Sequence, residues 1–414
     1  MSLSNITLSA AVRQNLLSLQ GTADLLATTQ GRLATGKKVN SALDNPTNFF
    51  TAAGLDARAS DISNLLDSIG NGVQVLQAAN TGITSLSKLV DTAKSIANQV
   101  LQQPTGYLQK ASATSLAPTG AGALGVVGTA TDLTVAGTNS LNGLTFVFTP
   151  AAGAATTITL GTGAGKVNSI DAFNAALTSA GLGLTASFAT NGSITLTSTN
   201  DNASQTLTTG TTAAANNIAI SGTDTATLVT PTGGSAGAPV ADPVSQAARS
   251  GLVTQYNQII TQITTTAQDA SFNGINLLNG DSLKLVFDET GKSTSTITGV
   301  TFGPAGLGLK SLTAGTDFLD NATTNSVLTS LNTASITLRS QASAFGANLS
   351  IVQIRQDFNK NLINVLQTGS SALTLADSNE EAANSQALST RQSIATSALS
   401  LANQAQQSVL QLLR

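Results

Sequence analysis

Leu55, Ile62, Ile69, Leu76, Ile83, Val90 and Ala97 recur every seven residues, and Leu65, Gly72, Ala79, Leu86, Ala93 and Val100 follow at the same interval three residues on. An apolar pair repeated every 3.5 residues marks a helix that buries one seam against partner helices. Kept up over about six heptads, the pattern predicts one rod, roughly 70 Å long at 1.5 Å per residue. A second run, Leu331, Leu338, Phe345, Val352, Leu366 and Leu373, keeps the same spacing, with Asn359 as an interruption. The expected rod core is therefore Leu55, Ile62, Ile69, Leu76, Ile83, Val90, Leu338, Phe345, Val352 and Leu366.

Both ends of the chain carry weaker seams. Val12, Leu16, Leu19, Ala23, Leu26 and Leu33 alternate by threes and fours near the start. Leu388, Ala395, Ala402 and Val409, joined by Ala398, Leu399, Ala405, Leu412 and Leu413, do so near the end. These stretches are almost uncharged, and short isolated helices are marginal in water. They have to pair with each other, pair with other copies, or stay unfolded. Val12, Leu16, Leu19, Leu26, Leu33, Leu399, Ala402, Ala405, Val409, Leu412 and Leu413 are the candidate assembly seam.

Between the helical ends the texture changes. From Ala111 to Val240 the only charged residues are Asp132, Lys166, Asp171, Asp201 and Asp224. Leu144–Phe148 and Thr156–Leu160 read as strands around Pro150 and Gly153. Ile170 to Thr178 reads as a short helix with Ile170, Phe173 and Leu177 on one face. Leu184, Ala186 and Phe188, then Ile194 and Leu196, alternate on either side of Asn191-Gly192, a hairpin signal. Residues 221–243 read as a linker, and Leu283–Phe287 with Thr296–Thr298 as a second hairpin. The expected fold is mainly α with a β-rich insert. Five segments follow: an inner coiled coil at 1–45, the rod at 46–105, the insert at 106–243, the returning rod with its hairpin at 244–373, and an inner coiled coil at 374–414. Asp44-Asn45-Pro46 reads as the cap that opens the first rod helix.

Composition narrows the function. The chain has 414 residues, no Cys, no His and no Trp, 9% charged residues and a net charge of -3. Neither a nucleic-acid surface nor an electrostatic grip on anionic lipid is expected. No run of about 18 apolar residues is present to insert in a membrane. Met1-Ser2-Leu3-Ser4-Asn5-Ile6 does not read as a cleaved secretory signal. The commonest zinc ligands and the commonest neutral-pH base are missing, and no cofactor and no enzymatic activity are expected. Gly120-Ala121-Gly122-Ala123-Leu124-Gly125 matches a dinucleotide-binding string without a strand before it or a helix after it. Gly161–Lys166 is one residue short of a phosphate loop, with Val167 where a Ser or Thr belongs. Lys88, Asp91 and Lys94 read as a solvated helix face, and Asp377, Glu380 and Glu381 as acids in a helix's first turn.

Four separated stretches, in order, resemble the bacterial flagellins. They are Gly36-Lys37-Lys38-Val39-Asn40-Ser41-Ala42-Leu43-Asp44-Asn45-Pro46, Asn71–Ile83, Phe272-Asn273-Gly274-Ile275-Asn276-Leu277-Leu278, and Leu401–Leu413. The resemblance covers about the first hundred and last 170 residues. It implies an elongated hairpin of long coiled-coil helices and a subunit that self-assembles into the flagellar filament. The implied partners are other copies of the chain, the flagellar export apparatus, a cytoplasmic export chaperone, and the filament cap and hook-associated proteins. A hook–filament junction protein, and an adhesin-like binding module, are the alternatives. Phe49-Phe50 and Ser350-Ile351 depart from the family's usual residues and point to an alphaproteobacterial-like branch. Gly346, inside the second rod seam, is the candidate for a switch between subunit packing states.

Overall fold

The computed structural model describes residues 10–114, 132–134, 142–148, 155–189, 193–210, 217–221 and 235–412. Six helices hold most of them: α1 (Ala10–Thr35), α2 (Pro46–Gln102), α3 (Ile170–Ser179), α4 (Pro243–Asp269), α5 (Asn321–Thr374) and α6 (Ser378–Leu412). The chain forms two compact units. One comprises Met1–Gln74, Leu283–Ile297 and Asn348–Arg414; the other comprises Val75–Ser282 and Thr298–Ala347. Helices α2 and α5 each contribute residues to both.

In the first unit the rod heptads do what their spacing dictates. Ala59, Ile62 and Leu366 form a buried cluster, with Leu55, Leu362 and Ile363 packed against it. Ile69 and Val352 are also buried. Helix α2 opens with Asn45 rather than Asp44 as its cap: Asn45 Oδ1 accepts the Asn48 amide at 3.0 Å, and Pro46 needs no donor there. Asp44 instead ties the preceding loop, accepting the Asn40 and Ser41 amides at 2.9 and 2.8 Å. The hairpin β11 (Ser282–Val286) and β12 (Thr294–Thr298) turns Leu283, Leu285, Phe287 and Ile297 inward. Its tip is tied to α2 by Arg58 Nε to Glu289 Oε1 at 2.6 Å. Arg355 of α5 lies over the Phe287 ring at 5.8 Å.

Asn359, the interruption in the α5 seam, is 2% exposed and donates its Nδ2 to the Phe287 carbonyl at 3.0 Å. A Leu in its place would leave that carbonyl without a donor, and buried backbone polar groups are almost always paired. Gly72 marks a close approach of the same kind: a Cβ there would run into the Leu285 side chain.

In the second unit Leu76, Ala79, Ile83, Leu86, Val90, Ala93, Ala97 and Val100 of α2 are buried, as are Leu331, Leu338 and Phe345 of α5. Helix α4 buries Leu252, Val253, Tyr256, Ile260, Ile263 and Ala267. Its end is set by Asn276, whose Nδ2 donates to the Ala267 and Gln268 carbonyls, both at 2.8 Å. Asn273 (φ 50) and Gly274 (φ 80) form the left-handed pair of the turn that returns the chain to Asn276. Arg249, 2% exposed, donates to the Pro104, Phe318 and Gln103 carbonyls at 3.0, 2.8 and 3.2 Å. It thereby satisfies carbonyls beyond the end of α2.

The insert is built as the alternation predicts. Strand order is β5 (Leu184–Phe188), β6 (Ile194–Ser198), β2 (Ser112–Thr114), β9 (Ser235–Gly237) in one sheet. The second runs β4 (Thr156–Thr159), β3 (Thr145–Phe148), β8 (Asn217–Ser221), β7 (Thr208–Gly210), with β7 and β8 parallel. Phe146, Phe148, Ile158, Phe173, Leu177, Leu184 and Leu196 share one core. Strands β8, β9 and β10 (Val240–Ala241) correct the linker reading of residues 221–243. Short Gly- and Ser-rich strands give little periodic signal, and their pairing partners lie far off in sequence. At the root of the insert, Tyr107 of β1 (Tyr107–Gln109) pairs with Ala241. Asp320 accepts the Ser204 hydroxyl at 2.6 Å, so the insert is fixed to the start of α5.

Candidate assembly surface

Helices α1 and α6, from opposite ends of the sequence, pack on each other. On α1 the covered residues are Val12, Asn15, Leu19, Thr22, Leu26 and Thr29. On α6 they are Glu381, Ser385, Leu388, Gln392, Ala395, Leu399 and Ala402. Both sets alternate by threes and fours, the spacing of a coiled-coil seam. The seam is narrow and largely small or polar. Its one ion pair, among the described residues of these helices, is Arg32 Nη1 to Glu381 Oε1 at 3.2 Å.

Below the pair, two linkers are zipped by main-chain bonds. Lys38 N donates to the Thr374 carbonyl at 2.7 Å and Ala376 N to the Gly36 carbonyl at 3.0 Å. Gly36 (φ 67) supplies the left-handed residue that ends α1. Asp377 Oδ1 accepts the Asn379 amide at 2.9 Å and opens α6. The acidic cluster is thus a helix start plus one buried ion-pair partner. Next to the linkers, Phe49 lines a groove with Val39, Ala52, Thr374 and Leu375, while Phe50 is exposed.

The candidate seam residues divide. Val12 is buried, and Leu19, Leu26, Leu399 and Ala402 are half-buried between α1 and α6. Leu16, Leu33 and Ala405 face away, at 37% and 43% exposure for the two leucines. Val409 and Leu412 belong to α6 at positions where the backbone alone is described, and Leu413 lies outside the described residues. Outside the seam, Leu17, Leu25, Ile394 and Leu401 are 55–69% exposed. Each helix therefore has an apolar face that its partner within the chain does not cover. The signal for this was present in the sequence as apolar residues beyond the two that each heptad needs.

The remaining candidates are placed as follows. Gly346 sits beside the buried Phe345, and a Cβ there would meet nothing within 4 Å. Close approaches fall elsewhere: at Gly82 a Cβ would lie 2.6 Å from Ala270 Cβ and 2.6 Å from Leu278 Cδ1. Gly161–Lys166 is a tight turn whose Gly161 amide donates to the Val167 carbonyl, and the next helix opens only at Ile170. The Gly120–Gly125 string lies outside the described residues. Asp91 and Lys94 form an exposed pair at 3.8 Å.

Two family models match at the two ends: the bacterial flagellin N-terminal helical region over residues 5–118 and the bacterial flagellin C-terminal helical region over residues 328–413. The chain belongs to the bacterial flagellins. Flagellin FljM of Caulobacter vibrioides is 31% identical over 172 residues, 41% of this chain and 62% of that protein. FljO and FljK of the same organism are each 29% identical over the same shares. These relatives place the flagellin in an alphaproteobacterial-like branch. The chain spans 62% of the length of the relatives it matches. A solved flagellar cap protein, FliD domains D1-D2-D3 of Escherichia coli, is similar at TM-score 0.16 and 14% identity over 69% of this chain and 99% of that one. A score that low has no bearing on the fold.

Proposed function

We propose that this flagellin is the structural subunit that self-assembles into the helical filament of a bacterial flagellum and serves swimming motility. The observation that carries the reading is the α1–α6 pair, which leaves Leu17, Leu25, Leu33, Ile394 and Leu401 exposed on uncharged helix faces. Apolar faces of this kind mark interaction surfaces, and identical copies offer identical faces that repeat by one rotation and rise. Residues 1–45 and 374–414 then form the inner layer, 46–105 and 244–373 the rod layer, and 106–243 the outward insert. The working place of the protein is outside the cell. Its route runs through the flagellar export apparatus with a cytoplasmic chaperone, and its neighbours at the filament ends are cap and hook-associated proteins. The role is structural, without catalysis.

Electron microscopy of purified, concentrated protein seeded with sheared filament fragments tests this. Long helical filaments of the chain alone are the expected result. Persistent monomer under all seeding conditions contradicts it, and short stubs that never elongate support a junction protein instead.

A further inference from the structure

Helix α5 is apolar on two sides within the first unit. Val352 and Leu366 face the core, with the pinned Asn359 between them. Ile351, Ile354, Phe358 and Val365 are 53%, 65%, 55% and 66% exposed. At 3.6 residues per turn, the second set centres roughly 110° round the helix from the first. It forms one continuous stripe with spacing three, four and seven. The outward residues of α2 in the same unit, Asp56, Arg58, Asp61, Asn64 and Asp67, are polar, so exposed apolar surface is not general here.

Among the described residues, nothing within the chain accounts for the stripe. Ile and Val are weaker helix formers than the Ala, Glu, Lys or Gln that ordinarily occupy exposed positions, and these side chains add little to the core. We propose that the stripe Ile351–Val365 is a docking surface for a second copy of this chain, separate from the α1–α6 faces. The proposal rests on the filament reading above.

Two observations favour that occupant. The bare surface is on the order of 400 Å², within the range of functional patches but well below the roughly 800 Å² per partner of a standard stable interface. A patch of that size does not hold a dimer alone. It suits a contact repeated among several neighbours, each adding a share. The rim is also electrically quiet: Lys360 Nζ lies 3.5 Å from Asp357 Oδ1, and Arg355 is engaged over Phe287. A partner selected by charge finds no unbalanced group there, whereas another copy of a chain with 9% charged residues does not need one.

The absence of native cysteine makes the test direct. Ile351→Cys, labelled with an environment-sensitive fluorophore and mixed sparsely into unlabelled protein, should shift to shorter wavelength and lose iodide quenching several-fold on assembly. In parallel, Ile354→Glu with Phe358→Glu should leave monomer helicity and melting intact but raise the critical concentration for seeded growth at least tenfold, because charges would enter an apolar contact. Filaments in which the dye stays quenchable, or a double variant that grows at the wild-type critical concentration, overturn the proposal while leaving the filament reading standing. Wild-type protein that never assembles overturns both.

Discussion

At the scale of single residues, the polar side chains inside this protein are placed where the main chain lacks a partner. Asn359 donates to Phe287, Asn276 closes α4, and Arg249 collects three carbonyls. Asn359→Leu would restore a perfect heptad yet strand a buried carbonyl. We expect a loss of about 1–3 kcal/mol, read by urea denaturation of the monomer; equal or greater stability would show that the bond contributes nothing. Titration follows from the same groups. Amide hydrogen bonds from Ser41 and Asn40 hold Asp44 below its usual value, and hydroxyl bonds from Ser245 and Thr290 do so for Asp242 and Asp288. Depressed carboxyls stabilise the fold above the unfolded value near 3.8, and that contribution is lost as pH falls through their lower folded values. Burial pushes the Tyr256 phenol up to about 12. Its stabilisation is therefore complete below pH 10 and drains as pH rises from 10 towards 12. With no histidine in the chain, monomer melting temperature should be flat from about pH 5 to pH 9 and fall on both sides; a step near pH 6–7 would contradict this.

At the scale of elements, the heptads made the long helices legible because every seventh residue faces one side of a rod. Asn359 looked like a break in that pattern, since sequence spacing carries no information about a hairpin carbonyl 72 residues away. The glycines were equally silent. Gly346, Gly72 and Gly82 look alike in sequence, yet Gly346 faces open space and the other two receive side chains from segments about 190 to 210 residues further on. Gly346→Ala should raise monomer stability by about 1 kcal/mol through helix propensity. Gly82→Ala should lower it, because Ala270 and Leu278 occupy the space its methyl would need. Thermal melts of the two variants check this, and a shift of the same sign in both would contradict it. Filaments of Gly346→Ala that keep the wild-type waveform would remove Gly346 from any packing switch. In the terminal helices the 3–4 alternation was legible, but which residues face the intrachain partner was not. Leu16 and Leu33 satisfy the alternation as well as Thr22 and Thr29 do, yet the threonines are buried and the leucines exposed.

At the scale of the whole molecule, the ends of the sequence are joined and the middle is set apart. The α1–α6 pair is closed at its base by the Lys38, Val39 and Ala376 main-chain bonds. The insert has a core of its own, and its two ends meet where Tyr107 pairs with Ala241 and the Asp242 amide donates to the Gly106 carbonyl at 2.9 Å. Such a layout lets the insert vary without disturbing the helices. The central claim is that the apolar faces left open on α1 and α6 are completed by other copies of the chain. Hydrogen exchange followed by mass spectrometry, on monomer and on sheared filaments, tests it most directly. Amides of 10–35 and 378–412 should exchange fast in the monomer, where the pair is held by a narrow seam, and slow by orders of magnitude in the filament, while those of 62–100 change little. Equal exchange of α1 and α6 in the two states would contradict the account.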